Sequence, residues 1–297
     1  MRAVLVAAAV LATFHANAAE IIHQQKSLYR NVLVLDHAGK MKNWRCMTFG
    51  LRHGYQSCVL PGSDRMVMSY THALLLGTMI NDKLPDRTLI IGLGGGVLPR
   101  AMRALNPGMV VDTVELDPAV AEAASQYFDY RPDTHSRLHI DDARVFVRRM
   151  IRTGERYDLI IIDAFDKDYI PEHLLSREFI EQVSQLLNQG GVVAANTFSD
   201  SRISPYEAAT YRSVFGDMLQ AFSSGGNRIL LGRKGRAMPS IPDVAFRAES
   251  MKTKLQTLGV SSEQLAHWLR PLPPMPDEDK FILTDQFSPA NLLMSRN

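Results

Sequence analysis

The side chains best placed for chemistry in this sequence stand at the ends of short apolar runs. Leu89-Ile90-Ile91 leads into Gly92-Leu93-Gly94-Gly95-Gly96 and then into a helical pattern. Gly92, Gly94, Gly95 and Gly96 let the chain turn tightly and let a ligand approach closer than any Cβ would permit. Such a loop is weak evidence alone, because buried turns also use glycine. It gains weight from Glu115, which ends the next apolar run about twenty residues further on, where a carboxylate accepts hydrogen bonds from ribose hydroxyls. After a third run comes Asp141-Asp142-Ala143. Asp142 can accept from an exocyclic adenine amine, or one of the two aspartates caps the helix that starts near Ala143 while the other meets the ligand. A fourth run, Leu159-Ile160-Ile161-Ile162, ends in Asp163, with Asp166 three residues beyond. Carboxylates at the mouth of an apolar strand are costly to bury unless they meet a cation or hydrogen-bond donors, which suits an amine-bearing ligand. Asp163 could then accept a proton from an attacking amine; the alternative is that it caps the following turn, with Asp166 and Asp168 in solvent.

These residues need a scaffold that brings strand ends together, and the sequence supplies its pattern. Apolar strand runs at 88–91, 110–114, 137–140, 157–162 and 191–196 alternate with helical patterns at 97–105, 119–128, 143–152 and 176–187. That alternation predicts a doubly wound α/β fold, in which ligands bind at the carboxyl ends of the strands. Ahead of it, strand-like runs at 31–35, 45–49 and 56–60 mark a small N-terminal β domain. Behind it, residues 240–268 read as one or two helices, followed by a proline-rich connector at 271–276 and a C-terminal segment at 281–293. The expected division is a leader at 1–19, a β domain at 20–66, a nucleoside-binding core at 67–235, and a helical extension and tail at 236–297.

Composition narrows the class of ligand. With 46% hydrophobic and 22% charged residues the chain is globular material, and its 33 basic and 31 acidic residues leave a net charge of +2 with no basic block. Nothing in that predicts a nucleic-acid or anionic-membrane footprint, so a small soluble ligand is expected. Arg2, an apolar stretch at 3–14 and Ala16-Asn17-Ala18 read as a secretory signal, too short for the ~20 apolar residues of a membrane span. The expected location is periplasmic or secreted; read instead as an ordinary N-terminal helix, the same stretch leaves the chain cytoplasmic. Cys46 and Cys58, the two cysteines, flank a hairpin centred near Arg52, which leaves open either a cross-strand disulfide or two buried thiols.

Taken together, the run Ser27 to Val34, Tyr70, the loop Gly92 to Gly96, Val114-Glu115-Leu116-Asp117-Pro118, Asp142-Ala143, and Tyr157 to Asp163 followed by Asp166 resemble the polyamine aminopropyltransferases, the spermidine synthases. The segments 163–174 and 283–289 look more like the divergent bacterial spermidine-synthase-like branch. The resemblance implies a Rossmann-like class I S-adenosylmethionine-dependent transferase core behind a small N-terminal β domain. It also implies decarboxylated S-adenosylmethionine as co-substrate, no metal, a polyamine or other small amine as acceptor, and an assembly for which a homodimer is compatible. By this likeness Glu115 holds the ribose, Asp142 the adenine, Asp163 and Tyr70 activate the attacking amine, and Asp166 binds the amine substrate. Four residues depart from the family: Gly95 stands where an aspartate grips the donor's ammonium, Thr71-His72 replaces a His-Glu pair, and Lys167 replaces the proline of an Asp-Pro. Read as open space, Gly95 favours a methyltransferase using intact S-adenosylmethionine; a non-catalytic binder of polyamine or nucleoside is the third reading.

Overall fold

The computed structural model of the chain describes residues 19–37, 43–50, 54–164 and 171–294. All but the last residue of the expected leader, and Asp166, lie outside the described residues.

Strands β1 (Glu20–Lys26), β2 (Asn31–Asp36), β3 (Arg45–Thr48) and β4 (Tyr55–Val59) form an antiparallel sheet in that order. β1 is not legible in the sequence, because two adjacent isoleucines followed by polar residues show no two-residue alternation; pairing with β2 recruits it as an edge strand. Cys46 stands opposite Cys58 across β3 and β4, and the two form a disulfide. The inner face of the sheet, Val32, Val34, Met47 and Val59, packs on Ala119, Val120, Ala123 and Phe128 of the following core.

That core is an eight-stranded sheet. Helix α1 (Ser69–Leu74) leads to β5 (Arg87–Ile91), α2 (Val97–Leu105), β6 (Val110–Glu115), α3 (Pro118–Tyr127), β7 (Ser136–Ile140), α4 (Ala143–Arg152), β8 (Tyr157–Ile162), α5 (Arg177–Leu186) and β9 (Leu187–Phe198). The chain continues through α6 (Ser204–Phe215), β10 (Leu219–Phe222), β11 (Asn227–Arg233), α7 (Ile241–Ser250), α8 (Lys252–Thr257), α9 (Ser262–Trp268) and β12 (Leu269–Pro271). The strand order is β12-β10-β11-β9-β8-β5-β6-β7, parallel from β7 to β9 and antiparallel beyond. Ile90 and Ile161 pack on one side of the sheet against α2, α7 and α9, while Leu89, Ile91, Ile160 and Ile162 pack on the other against α4, α5 and α6. Burial of both faces explains why these strands read as unbroken apolar runs. The region 240–268 holds three helices rather than one or two, and β12 pairs with β10, so the C-terminal part of the chain completes the main sheet.

The loops after β5 and β8 leave the sheet toward opposite sides, since β5 continues to its neighbour β6 and β8 to its other side through β9. Doubly wound sheets form their ligand crevice where the order reverses in this way.

Candidate active site

A cavity of about 260 Å³ opens at that crevice, walled by the glycine loop, the ends of β6, β8 and β9, the β4 strand and the β10–β11 turn. Gly92 begins the loop in a left-handed conformation, φ +99°, with its N–H donating to the Val114 carbonyl. A Cβ there would lie 2.2 Å from the Asp163 carbonyl oxygen, so glycine is what allows β5 and β8 to end side by side. Gly92 and Gly94 line the cavity. Gly95 and Gly96 lie outside its lining and are buried, the first against Phe128 and Ser57 and the second against the Tyr130 ring. The expected open space beside Gly95 is therefore filled: an added Cβ would sit 2.7 Å from Phe128 Cδ1 and 2.8 Å from Ser57 Oγ. Packing of the N-terminal sheet over α3 puts these groups there, and the argument for a methyltransferase from an empty Gly95 niche falls with it.

Glu115 ends β6 inside the cavity. One carboxylate oxygen accepts from Leu93 N–H at 3.0 Å and the other from Asp117 N–H at 2.9 Å. These contacts tie the strand end to the glycine loop, and since each carboxylate oxygen has two acceptor sites, capacity remains for ligand hydroxyls. Burial raises the Glu115 pKa, against the backbone hydrogen bonds and the nearby Arg30 charge, which lower it.

Of the expected roles of the Asp141-Asp142 pair, helix capping is seen directly, and both aspartates reach the cavity. Asp142 is the N-cap of α4, its Oδ1 accepting from Arg144 and Val145 N–H, while its Oδ2 stands 3.0 Å from His173 Nε2. Asp141 pairs with Arg149 at 2.8 Å, and Asp141, Asp142 and His173 all line the cavity.

At the other end stands Asp163. Its N–H donates to the Ile91 carbonyl, and its Oδ1 accepts from Asn196 Nδ2 at 2.9 Å. Asn196 in turn accepts from Asn227 Nδ2 at 3.0 Å, so two carboxamides in series fix the carboxylate. The Tyr70 hydroxyl donates to the Gln56 carbonyl at 3.1 Å and lies beside Asp163, whose carboxylate is the alternative acceptor for the same proton. Desolvation pushes the Asp163 pKa up to about 6, although the Asn196 and Tyr70 contacts oppose the shift. Burial and the neighbouring carboxylate hold the Tyr70 phenol well above its ordinary value, so it serves as a hydrogen-bond donor, not a base. Asp163 thus combines a desolvated, oriented carboxylate with access to the cavity, the state expected of a general base. Behind it, buried Glu207 accepts from Phe198 N–H and faces Arg228, which holds the end of β9 in place.

The structure brings together Tyr70, Gly92, Gly94, Glu115, Asp142 and Asp163 as the sequence suggests. Sequence reasoning misses Gln56, His173, Asn196 and Asn227. Asn196 ends a legible strand at the level of Asp163 and could have been found by that signal; Asn227 arrives by an antiparallel return that leaves no local trace. His72 turns its ring to the Met66 carbonyl.

Comparison with known proteins fits this geometry. Residues 68–216 match the model of the spermine/spermidine synthase domain. A polyamine aminopropyltransferase of Vibrio vulnificus is 40% identical over 290 residues, covering 96% of this chain and 95% of the relative. Two solved structures share the fold at lower identity. A probable spermidine synthase from Corynebacterium glutamicum has a TM-score of 0.64 at 20% identity, covering 88% of this chain and 92% of that one. A spermidine synthase in complex with the transition-state analogue AdoDATO has a TM-score of 0.66 at 20% identity, covering 85% of each chain. With strand ends, glycine loop and carboxylates arranged as described and with similarity running along nearly its whole length, the chain belongs to the spermine/spermidine synthase family of polyamine aminopropyltransferases.

Proposed function

We propose that the chain transfers an aminopropyl group from decarboxylated S-adenosylmethionine to an amine of a polyamine, with Asp163 as the base. The observation that carries this is Asp163 itself: half-buried, held by Asn196 and beside Tyr70, and facing a cavity whose far end presents Glu115 and Asp142. When bound, the donor supplies a sulfonium whose neighbouring carbon accepts the amine and whose sulfur leaves as a neutral thioether. The protein's part is then placement and proton transfer. Glu115 holds the ribose and the Asp142 region the adenine, which sets the reacting carbon near β8. Asp163 takes the proton that the acceptor nitrogen loses, and Tyr70, kept protonated, steers the carboxylate toward it. The Cys46–Cys58 bridge favours an oxidising compartment for this chemistry, as the periplasmic or secreted reading expects.

The direct test is release of methylthioadenosine from decarboxylated S-adenosylmethionine and a set of polyamines, followed against pH. Asp163 is an acid with a raised pKa, so the base is present above about pH 6 and lost below it. Acceptor kcat/KM should therefore fall through an acid limb near pH 6. A bound cationic acceptor lowers the carboxylate's pKa, which moves the limb in kcat to lower pH than that in kcat/KM. No turnover with any polyamine, or a rate flat from pH 5 to 8, would count against the assignment.

Glu115→Ala tests the donor end. Each charge-assisted hydrogen bond to a ribose hydroxyl contributes about 1.5–3 kcal/mol, so methylthioadenosine affinity should fall by at least about tenfold in calorimetry. Unchanged affinity would remove the nucleoside from this end of the cavity.

A further inference from the structure

The motif at 283–289, set apart by the sequence, has no part in the chemistry above, yet it is stitched to the wall of the cavity. Asp285 takes both ends of the Arg144 guanidinium, Nη1 on Oδ1 and Nη2 on Oδ2, each at 2.6 Å. Ser176 Oγ donates to the same carboxylate at 2.5 Å, and Asp285 N–H donates to Glu178 at 2.9 Å. Either side of it, Arg177 N–H donates to the Leu283 carbonyl, and Glu172 accepts from the backbone and side chain of Asn291. The C-terminal segment therefore spans the stretch 172–178, whose first part forms the cavity wall with Pro171, His173 and Leu174.

Arg144 gives this strap its reach. Its backbone N–H is one of the two that hold the Asp142 carboxylate, and its nearly buried guanidinium also donates to the His173 carbonyl at 3.3 Å. The ring of His173 then meets the free oxygen of Asp142. One arginine thus joins the C-terminal strap to both sides of the Asp142 carboxylate. We propose that Asp285 and Arg144 are positioning residues, through which the C-terminal segment fixes the nucleoside end of the cavity. This rests on the reading that the Asp142 end takes the adenine. Without Asp285 the guanidinium is a buried charge lacking its partner and must move, taking with it the His173 wall and the first turn of α4.

The test is Asp285→Asn in the full chain, with methylthioadenosine Kd by calorimetry, and the separate KM values and kcat for donor and acceptor. Misplacement at one end of the site should raise methylthioadenosine Kd and donor KM together by about tenfold, with acceptor KM and kcat within about twofold. Arg144→Lys, which keeps the charge and loses the two-pronged geometry, should move the same two quantities by a smaller factor. It carries the test if Asp285→Asn does not fold. A folded variant of either kind with wild-type nucleoside affinity overturns the proposal, even if its melting temperature falls, since that is the mark of a purely structural clamp. Wild-type protein that does not bind methylthioadenosine refutes the nucleoside reading itself.

Discussion

Asp163→Asn should lower turnover by about 10²- to 10⁴-fold at saturating donor and acceptor while leaving methylthioadenosine affinity nearly intact. Asparagine keeps the shape of the side chain and can still accept from Asn196 Nδ2, so the glycine loop and the β8 end should hold their places. What it lacks is the capacity to take a proton. The same substitution should stabilise the fold. The folded carboxyl titrates at about 6, above the roughly 3.9 of an unfolded aspartate. A raised acid destabilises the native state progressively as pH rises from about 4 through 6, and above that window the cost is constant. Water admitted by the cavity reduces it, so at pH 7 Asp163→Asn should gain about 1–2 kcal/mol, and at pH 4 little or nothing. Paired thermal melts at the two pH values separate this from a general packing effect. An unaltered rate in the variant would remove Asp163 as the base.

Gly95→Asp, which writes the family's aspartate into this chain, should not improve donor binding and should destabilise the protein by about 2–4 kcal/mol. Gly95 is not among the left-handed glycines, so the obstacle is space and not backbone conformation. Phe128 Cδ1 and Cγ would lie 2.7 and 3.1 Å from the new Cβ, and Phe128 is fully buried among Val32, Val34, Met47 and Val59. A ring so enclosed has nowhere to swing without opening the contact between the small sheet and α3. Denaturant unfolding and methylthioadenosine calorimetry on the variant measure both effects. Full stability together with a lower donor KM would show that Phe128 yields and that the family's ammonium grip can be rebuilt here. The carboxylates available among the described lining residues are otherwise Glu115, Asp141, Asp142 and Asp163.

What could be read from the sequence follows from the range of the interactions involved. Leu89 to Gly96 and Leu159 to Asp163 announce themselves because burial on both faces writes a local apolar run, and a strand end writes a local change to glycine or carboxylate. Glu115 and Asp163 could be chosen for the same reason. The niche at Gly95 could not be judged, because what fills it is Phe128 and Ser57, one beyond α3 and one on another sheet. Nor could Asn227 be joined to Asp163, since its register is set by β9–β11 pairing, and Tyr70 is joined to it in sequence only through the family resemblance. Asp142 shows a different limit: capping and ligand binding favour the same residue at the same place, so its type alone does not separate the roles.

The placement of β12 beside β10 has a consequence for how the protein is made. Translation delivers the parallel strands and β10 well before β12, so the nascent chain holds β10 as an exposed edge, with unpaired backbone groups, until the last part of the sequence emerges. Arg144 waits longer still, its partner lying 141 residues downstream. Such late, long-range closure slows folding and prolongs exposure to mispairing. Chains shortened before residue 269 should therefore accumulate as aggregates or chaperone-bound species even though every residue lining the cavity has already been synthesised.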